Sequence, residues 1–491
     1  MFFSFPHRIS TLCLMGFLAS CQSAHQKAMP ELPTQNQASE IGRTTMQSIP
    51  SYKLSNGLEI FFIEKKAIPM ATVLIAVKNG SFAEDESNNG LAHLYEHMFF
   101  KANEKIPAQS EFLRTLDEMG IELGPNMNAY TSTESVRYFF TLQSEYLDRG
   151  LQFMADALIT PKFLQEELEK ERKVVIGEFD RYEASPSDVF FQRGLFSRLF
   201  KEHYIRKNVI GSRPVILSAS QDQMHDIQHR YYVPNNTALF IVGDFSEPET
   251  KASIQKYFGN WKASDNPFEK YPIPEQTPVE KTLSFIEHGP VQTVNMVLAY
   301  QGPSLTKQDQ DTIAFDLISM MTSLESSPIQ KELVHSGIAS HASFFSWSQR
   351  YTSPLIFNLE TSPEKAQKSY EVLMSLKDRM LKGGFFSEAD LNTAKTSIEV
   401  SSAFDRENGQ KFALSLANVW TSTGSLDYYL TYIPAMKKIT MADIDRSIAT
   451  YLSKNYIIGA LVPAGTNSLK FNEPAAPVAA PIKEEKAAGK K

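Results

Sequence analysis

The sequence predicts an α+β fold made of two similar halves, each with helices packed on one face of a sheet. Each half opens with strand-like runs of β-branched and aromatic residues, continues into helical stretches and ends in a strand led by tyrosine. The opening runs lie at 58–64, 71–77, 282–287 and 293–300. Tyr231 and Tyr451 lead the closing strands. The same order of elements on both sides indicates an internal repeat.

Composition is typical of a globular protein and excludes several classes. The chain has 491 residues, 42% apolar and 21% charged, which is enough for two or three domains. The formal net charge of -7 comes from 49 basic and 56 acidic residues. We expect no nucleic-acid partner, since that usually needs a clustered basic face. No apolar run reaches the length of about 18 residues that a membrane-spanning helix needs.

The N-terminal residues resemble the signal peptide of a bacterial lipoprotein. Arg8 precedes a short apolar core at 12–18, which ends in Leu18-Ala19-Ser20-Cys21. We expect lipidation of Cys21, with an ordinary secretory peptide as the alternative. Cys13 is the only other cysteine, so a disulfide framework is excluded. Gln22, where an aspartate would favour the inner membrane, indicates an outer-membrane anchor facing the periplasm.

Composition also divides the chain into segments. A polar stretch follows Cys21, a proline-rich charged stretch separates the halves, and the C-terminal end is rich in Ala, Pro, Lys and Glu. The predicted segments are a signal peptide at 1–20, a flexible tether at 21–46, a first domain at 47–262, a linker at 263–281, a second domain at 282–466 and a disordered tail at 467–491.

The most informative motif is His93-Leu-Tyr-Glu96-His97, in a predicted helix that Asn88 and Asn89 can cap. His93 and His97 are about one helical turn apart, so both imidazoles can reach one zinc ion. Glu96 shares their face and can accept a proton from a zinc-activated water. This is the inverted form of the common zinc-protease motif. The alternative is a structural histidine pair, and His225 and His229 have the same spacing with Gln228 in place of the glutamate.

A catalytic zinc needs a third protein ligand and an open position. Thr160-Pro161 predicts the start of a helix that extends from Phe163 to about residue 181. Glu171 and Glu178 lie about two turns apart on one face of this helix, so either could be that ligand. Taken alone, each is also consistent with a solvated surface glutamate.

These motifs resemble the pitrilysin family of metallopeptidases, which includes insulin-degrading enzyme and the mitochondrial processing peptidase. The resemblance covers about 48–465 and is most specific at 90–101, 128–138 and 171–178. It implies two homologous halves with mainly antiparallel sheets in a clamshell arrangement, and one zinc ion per chain. The implied ligands are His93, His97 and Glu178, with Glu96 as the general base. Glu171 is implied to be a carboxylate that does not bind the metal but orients a ligand.

The resemblance also implies how a peptide would be held. Asn128-Ala129 corresponds to the start of an edge strand that pairs with the substrate backbone in the family, which explains broad specificity. A turn residue after Gly124-Pro125 is the alternative interpretation of Asn128.

The second half departs from the family pattern. The family places there an arginine and a tyrosine, seven residues apart, that bind the scissile carbonyl and its oxyanion. The corresponding positions here hold Leu333 or Val334, and Ser340. A partner chain of the same family could supply the pair, Arg350 or Tyr351 could replace it, or the chain could be weakly active or inactive.

We therefore expect a zinc metalloendopeptidase of the bacterial envelope that acts on peptides or unfolded segments. We expect a heterodimer with a family member that supplies Arg and Tyr, or a homodimer, and attachment to the membrane only through lipid. The alternatives are an inactive peptide-binding or assembly subunit, and a structural lipoprotein that uses zinc to hold its first half together. A closed structural site would need a fourth ligand and no water, which Glu96 argues against.

Overall fold

The computed structural model describes residues 48–201 and 206–475. The predicted signal peptide at 1–20, Cys21 with the tether at 21–46, and residues 476–491 of the predicted tail lie outside the described residues. Within the described ranges, no helix combines the length and the apolar character that crossing a membrane requires.

The first half is built on a six-stranded sheet. Its strands are β1 Ser51–Lys53, β2 Glu59–Glu64, β3 Met70–Val77, β4 Met127–Thr131, β5 Val136–Gln143 and β6 Thr237–Gly243. They lie in the order β1-β2-β6-β3-β5-β4, so β4 forms one edge. Every neighbouring pair is antiparallel except β2 with β6.

The helices of the first half mostly pack on one face of this sheet, but the segment 190–200 packs on the second sheet. They are α1 Leu91–Met98, α2 Gln109–Asp117, α3 Leu147–Ile159, α4 Gln165–Glu183, α5 Pro186–Val189, α6 Ser197–Leu199, α7 Arg213–Ser218, α8 Gln221–Tyr231 and α9 Glu247–Phe258. A π-helical turn, Phe190–Phe196, joins α5 to α6. Val73 and Ile75 of β3 meet Leu94 and Met98 of α1 in the main core.

The second half repeats the plan with five strands. They are β7 Leu283–Gly289, β8 Val294–Gln301, β9 His341–Ser346, β10 Pro354–Thr361 and β11 Ile457–Pro463. The order β7-β11-β8-β10-β9 matches β2-β6-β3-β5-β4 of the first sheet. In both halves the first strand of this order lies parallel to the last strand in sequence. The expected α+β fold of two homologous, mainly antiparallel halves in a clamshell arrangement is thus confirmed.

The remaining helices belong to the linker and the second half. They are α10 Pro267–Lys270, α11 Asp309–Ser323, α12 Ala366–Met380, α13 Glu388–Glu407, α14 Gly409–Thr423, α15 Asp427–Lys438 and α16 Met441–Leu452. A second π-helical turn covers Gln330–His335. Leu317 of α11 and Leu373 of α12 pack against Leu298 of β8 in the second main core.

Each sheet also has a covered second face, which the sequence did not predict. Leu416 and Trp420 of α14, from the second half, pack on the first sheet against Phe240. In return, Phe190 from the first half packs on the second sheet, with its ring centroid 5.4 Å from that of Phe285. Each half therefore contributes a segment that covers the second face of the other half's sheet.

Two predicted details differ from the structure. The helix expected to begin at Thr160-Pro161 begins at Gln165, because Pro161 pairs with Asn103 in an isolated bridge and Phe163 has a positive φ of 48°. The predicted disordered tail is packed over 467–475. Leu469 is buried there, and the Glu473 carboxylate accepts hydrogen bonds from two tyrosines of the second half. These contacts anchor the segment despite its loop-like composition.

Candidate metal centre and peptide-binding edge

Helix α1 carries His93, Glu96 and His97 on one face and is capped in an unexpected way. The predicted caps Asn88 and Asn89 do not cap it. Instead the buried carboxylate of Glu84 accepts hydrogen bonds from the backbone N–H groups of Gly90 (2.9 Å) and Ala92 (2.7 Å). The Asn89 amide donates to the same carboxylate at 2.9 Å. Burial raises the pKa of Glu84 to about 7, although these donors favour its ionised form.

Helix α4 brings the third group to this face. His93 Nε2 and His97 Nε2 lie 3.3 Å apart, and Glu178 Oε2 lies 3.7 Å from each of them. Tetrahedral zinc with bonds of about 2.0–2.1 Å separates its ligand atoms by about 3.3 Å, so these three atoms fit one ion. Among the described residues they form the one cluster of histidine, cysteine and carboxylate groups with such spacing.

The two imidazoles are oriented for metal binding, and their surroundings shift their pKa values in opposite directions. Burial, followed by the nearby His97, lowers the pKa of His93 to about 3, which keeps its ring neutral. His97 Nδ1 lies 2.8 Å from Glu171 Oε1, so Nδ1 carries the proton and Nε2 presents its lone pair. Burial lowers the pKa of His97, but the bond to Glu171 and the nearby carboxylates outweigh it, and the net shift is upward.

Glu171 is itself fixed by a lysine. Lys101 Nζ lies 2.6 Å from Glu171 Oε2, and both side chains are almost fully buried. Burial alone raises the pKa of Glu171, yet the hydrogen bonds from His97 and Lys101 lower it overall. Glu171 is therefore a charged hydrogen-bond acceptor behind His97, whereas Glu178 faces both Nε2 atoms.

Glu96 is buried beside the metal group and is held by one hydroxyl. Thr131 Oγ1, at the end of β4, donates to Glu96 Oε2 at 2.5 Å. Burial raises the pKa of Glu96 despite this bond. A raised pKa brings a carboxylate closer to the range in which a general base works best.

A cavity of about 620 Å³ lies between α1, α4 and β4. Asn128 and Ala129, the residues predicted to hold a peptide, line it. Asn126 C=O accepts from Thr141 N–H of β5, so by alternation Ala129 and Thr131 turn their backbone groups to the open edge. The Ala129 N–H there is bonded to the Asn128 side chain at 2.8 Å. Asn128 lies within β4 and not in a turn.

The corresponding edge of the second sheet is blocked. At β9, the Gln330 side chain donates to Ala342 C=O at 2.9 Å, and Ser319 Oγ accepts from Ser346 N–H at 3.2 Å. Of the two edges, β4 is therefore the one open to an extended peptide.

The second-half positions discussed above lie away from this cavity. Leu333 is fully buried in the second core, Val334 packs on that core, and the Ser340 hydroxyl donates to Glu360 C=O at 3.1 Å. Arg350 donates its backbone N–H to Glu134, and its guanidinium lies 5.9 Å from the Tyr351 ring. Every described residue that lines the cavity belongs to the first half.

The second histidine pair is not arranged as a metal group. His225 Nδ1 lies 3.3 Å from Gln228 Oε1, and the ring centroids of His225 and His229 are 6.3 Å apart. The ring of His225 instead packs edge-on against Phe163 at 4.9 Å. His225 is thus part of the packing between α8 and the segment before α4, whereas His229 is exposed.

Sequence reasoning did not find the roles of Glu84, Lys101 and Thr131. Lys101 and Thr131 lie within two of the three segments that carry the family resemblance, so their proximity to the site was available as a signal. Glu84 lies six residues before Gly90 in a loop, and nothing in its local pattern distinguishes it from a solvated carboxylate.

Comparison with family models gives two adjacent matches. A model described as insulinase (peptidase family M16) matches residues 60–212. A model described as the peptidase M16 inactive domain matches residues 218–398. Together they match more than half of the chain and divide it near the boundary between α7 and α8.

Proteins of similar sequence are named as a zinc protease and as a peptidase subunit. The uncharacterized zinc protease YmxG of Bacillus subtilis is 27% identical over 215 residues, which are 44% of this chain and 51% of that protein. The match thus spans about half the length of this relative. The beta subunit of the mitochondrial-processing peptidase of Saccharomyces cerevisiae is 24% identical over 408 residues, 80% of this chain and 86% of that one.

Solved structures share the fold. A protease from Helicobacter pylori superposes with a TM-score of 0.75 at 24% identity, over 85% of this chain and 100% of that one. The first half of the periplasmic protease PqqL from Escherichia coli superposes with a TM-score of 0.68 at 19% identity, over 84% and 92%. Both likenesses extend across the two halves of the chain.

Proposed function

Because the chain belongs to the M16 (insulinase) family of peptidases, we propose that it is a zinc-dependent metalloendopeptidase that cleaves peptides or unfolded protein segments. One observation carries this proposal: two imidazole nitrogens and Glu178 Oε2 converge beside a buried glutamate and an open strand edge. We propose one zinc ion per chain, held by His93, His97 and Glu178.

Zinc bound there would supply Lewis acidity to the peptide carbonyl and to a water. Glu96 takes a proton from the attacking water and returns it to the leaving amine. Thr131 orients the Glu96 carboxylate through its hydroxyl. Glu171 keeps the proton of His97 on Nδ1, so that Nε2 remains a ligand.

The open edge of β4 supports binding of an extended peptide. Backbone groups of Ala129 and Thr131 would pair with the peptide main chain, which places the scissile bond beside Glu96. The Asn128 amide, now bonded to Ala129 N–H, occupies the place of a peptide carbonyl and would have to move. Because recognition uses the main chain, this mode predicts broad sequence tolerance.

A partner chain is part of the proposal. No described residue of the second half lines the cavity, so Leu333, Val334 and Ser340 are not placed to bind an oxyanion formed there. We propose a heterodimer with a family member that supplies arginine and tyrosine, or a homodimer. The relative in yeast mitochondria is named as a subunit, which is consistent with an assembly.

We also propose a location in the bacterial envelope, with lipid on Cys21 as the membrane anchor. The solved PqqL relative is described as periplasmic, and the motif at 18–21 is typical of lipoproteins. An outer-membrane anchor facing the periplasm follows from Gln22. Labelling of cells with a radioactive fatty acid should mark the wild-type chain and leave Cys21→Ala unmarked.

A second function is favoured by the departure in the second half. Without an oxyanion-binding pair, the chain could bind peptides at β4 and act as an inactive subunit. The buried position of Glu96 and its contact to Thr131 argue for a working base and against this alternative.

The test is cleavage of a pool of quenched peptides by the zinc-loaded soluble chain, with Glu96→Gln as the matched control. Glu96→Gln keeps the size of the side chain and the hydroxyl contact, so zinc content should stay the same while cleavage falls at least about 100-fold. Activity in both proteins would exclude Glu96 as the base. Activity in neither, also after addition of a family partner, would favour the binding subunit.

A further inference from the structure

The turn between β4 and β5 is attached to the second half by its side chains. Glu134, in this turn, is buried, and its two carboxylate oxygens accept separate hydrogen bonds. One comes from the backbone N–H of Arg350 at 2.7 Å and the other from the Ser422 hydroxyl at 2.8 Å. Next to it, Gln349 Nε2 donates to Thr133 Oγ1 at 3.4 Å. Both Arg350 and Ser422 belong to the second half.

A second contact fastens the start of β5 to the same helix of the second half. The guanidinium of Arg137 donates to the Asn418 side chain of α14. Asn418 lies one helical turn before Ser422, so both contacts use one face of α14. The backbone of the turn is held from the other side by the first half, where Phe82 N–H donates to Thr133 C=O at 2.9 Å.

The same hairpin reaches into the proposed active site. Thr131, three residues before Glu134, holds Glu96, and the strand before it lines the cavity. The turn between them is closed by Ser132 N–H donating to Ser135 C=O at 2.8 Å. A displacement of Glu134 would therefore be transmitted over one short turn to Thr131.

We propose, on the basis of the proposed peptidase function, that Glu134 is a positioning residue for the catalytic base. It fixes the β4–β5 hairpin on the second half, and the hairpin in turn fixes Glu96 through Thr131 and presents the open edge to the peptide. The second half thus acts on the reaction through geometry, although none of its described residues lines the cavity.

The chemistry of the contact supports a specific anchor over general packing. Burying a carboxyl group has a cost that only well-placed donors offset, and apolar contacts would join the halves without it. Two donors from separate elements of the second half, the loop after β9 and α14, converge on Glu134. Such a pair defines the position of the turn in two directions, which apolar packing does not.

Three variants test the proposal. Glu134→Ala removes both acceptors. Glu134→Gln retains both contacts, because its amide oxygen can accept from Arg350 N–H and its NH₂ can donate to the Ser422 oxygen. Glu59→Ala is the matched control: Glu59 accepts a hydrogen bond from Trp420 of α14 at 2.8 Å, also between the halves, but lies on β2 away from the hairpin.

We expect Glu134→Ala to lower kcat at least about tenfold, since small displacements of a positioned group have effects of this size. Zinc content should change little, because the metal ligands lie on α1 and α4. Glu134→Gln and Glu59→Ala should keep kcat. A merely structural contact predicts instead that both alanine variants lose thermal stability and keep kcat per folded molecule. That result would overturn the proposal.

A measurement without turnover separates this proposal from the proposed function. Hydrogen–deuterium exchange at 127–131 should accelerate in Glu134→Ala and stay unchanged in Glu59→Ala. An inactive wild-type chain with this exchange pattern would count against the peptidase function and leave the anchor standing. Unchanged exchange in Glu134→Ala would overturn the anchor whatever the activity. If Glu134→Ala does not fold, Ser422→Ala removes one donor and gives the same test.

Discussion

Glu171 and Glu178 share one face of α4 but have different partners. Glu178 Oε2 lies 3.7 Å from both Nε2 atoms, whereas Glu171 is bonded to the far nitrogen of His97 and to Lys101. The sequence placed both glutamates on this face and could not choose between them from spacing. The choice depends on which turn of α4 meets α1, which is a contact between elements and not a property of either one.

Lys101 should strengthen metal binding although it is not a ligand. Its ammonium group fixes the Glu171 carboxylate, which orients His97. Lys101→Met keeps the length of the side chain and removes the charge, so we expect zinc affinity to fall by about 10- to 100-fold. Competition with a coloured chelator measures this directly.

The control is Lys170→Met, because Lys170 is exposed on α4 next to Glu171. Its zinc affinity should remain at the wild-type value. Equal affinities for Lys101→Met and the wild-type chain would contradict the role of Lys101.

At the scale of elements, the start of α1 depends on two glycines that touch. Gly90 and Gly211 both have positive φ, of 101° and 89°. A Cβ on Gly211 would lie 2.2 Å from Gly90 Cα and 2.6 Å from Asn89 C=O. The segment before α7 therefore presses directly on the N-terminus of the helix that carries His93 and His97.

Gly211→Ala should destabilise the chain and disturb this helix. The left-handed conformation of an alanine lowers the free energy of unfolding by about 1–2 kcal/mol. The clash of its Cβ with the backbone lowers it by another ~1–3 kcal/mol. Gly337→Ala is the control, since Gly337 also has positive φ, of 71°, but nothing lies within 4 Å of the added Cβ. Denaturant unfolding should show the larger loss for Gly211→Ala. Equal losses would mean that the contact with Gly90 is not tight.

Local sequence patterns predicted the existence of helices and strands better than the residues at which they begin and end. The runs at 71–77 and 293–300 became β3 and β8 with small shifts, because their apolar residues are buried. The cap of α1 was missed because its acceptor, Glu84, is outside the local window in which Asn88 and Asn89 compete. The bridge between Pro161 and Asn103 likewise makes α4 begin later than predicted, and no local sequence pattern indicates this bridge.

At the scale of the whole molecule, the repeat predicted two halves but not how they join. Helix α14 of the second half covers the first sheet, and the segment around Phe190 of the first half covers the second sheet. Both contacts join residues that are far apart in sequence. Amphipathic patterns show that a face is apolar but not which element covers it. The hydrogen bonds that anchor Glu134 were not predicted for the same reason, because their donors lie 216 and 288 residues further along the chain.

This anchor should make folding stability depend on pH. Burial raises the pKa of Glu134 to about 7, from 4.5 for an exposed glutamate. The folded chain thus binds the proton more tightly than the unfolded chain does. The contribution of Glu134 to stability is complete below the lower pKa, decreases as pH rises toward 7 and is constant above it.

Glu134→Gln isolates this contribution, because it keeps the hydrogen bonds and cannot ionise. Between about pH 5 and about pH 8, the free energy of unfolding of the wild-type chain should fall more than that of the variant, by a difference on the order of 2 kcal/mol. Glu59→Gln, with Glu59 partly exposed between the same two halves, controls for general electrostatics. Urea unfolding at both pH values gives the comparison. Parallel pH profiles for the wild-type chain and Glu134→Gln would show that Glu134 is ionised in the folded chain throughout this range, because its two donors then outweigh the effect of burial.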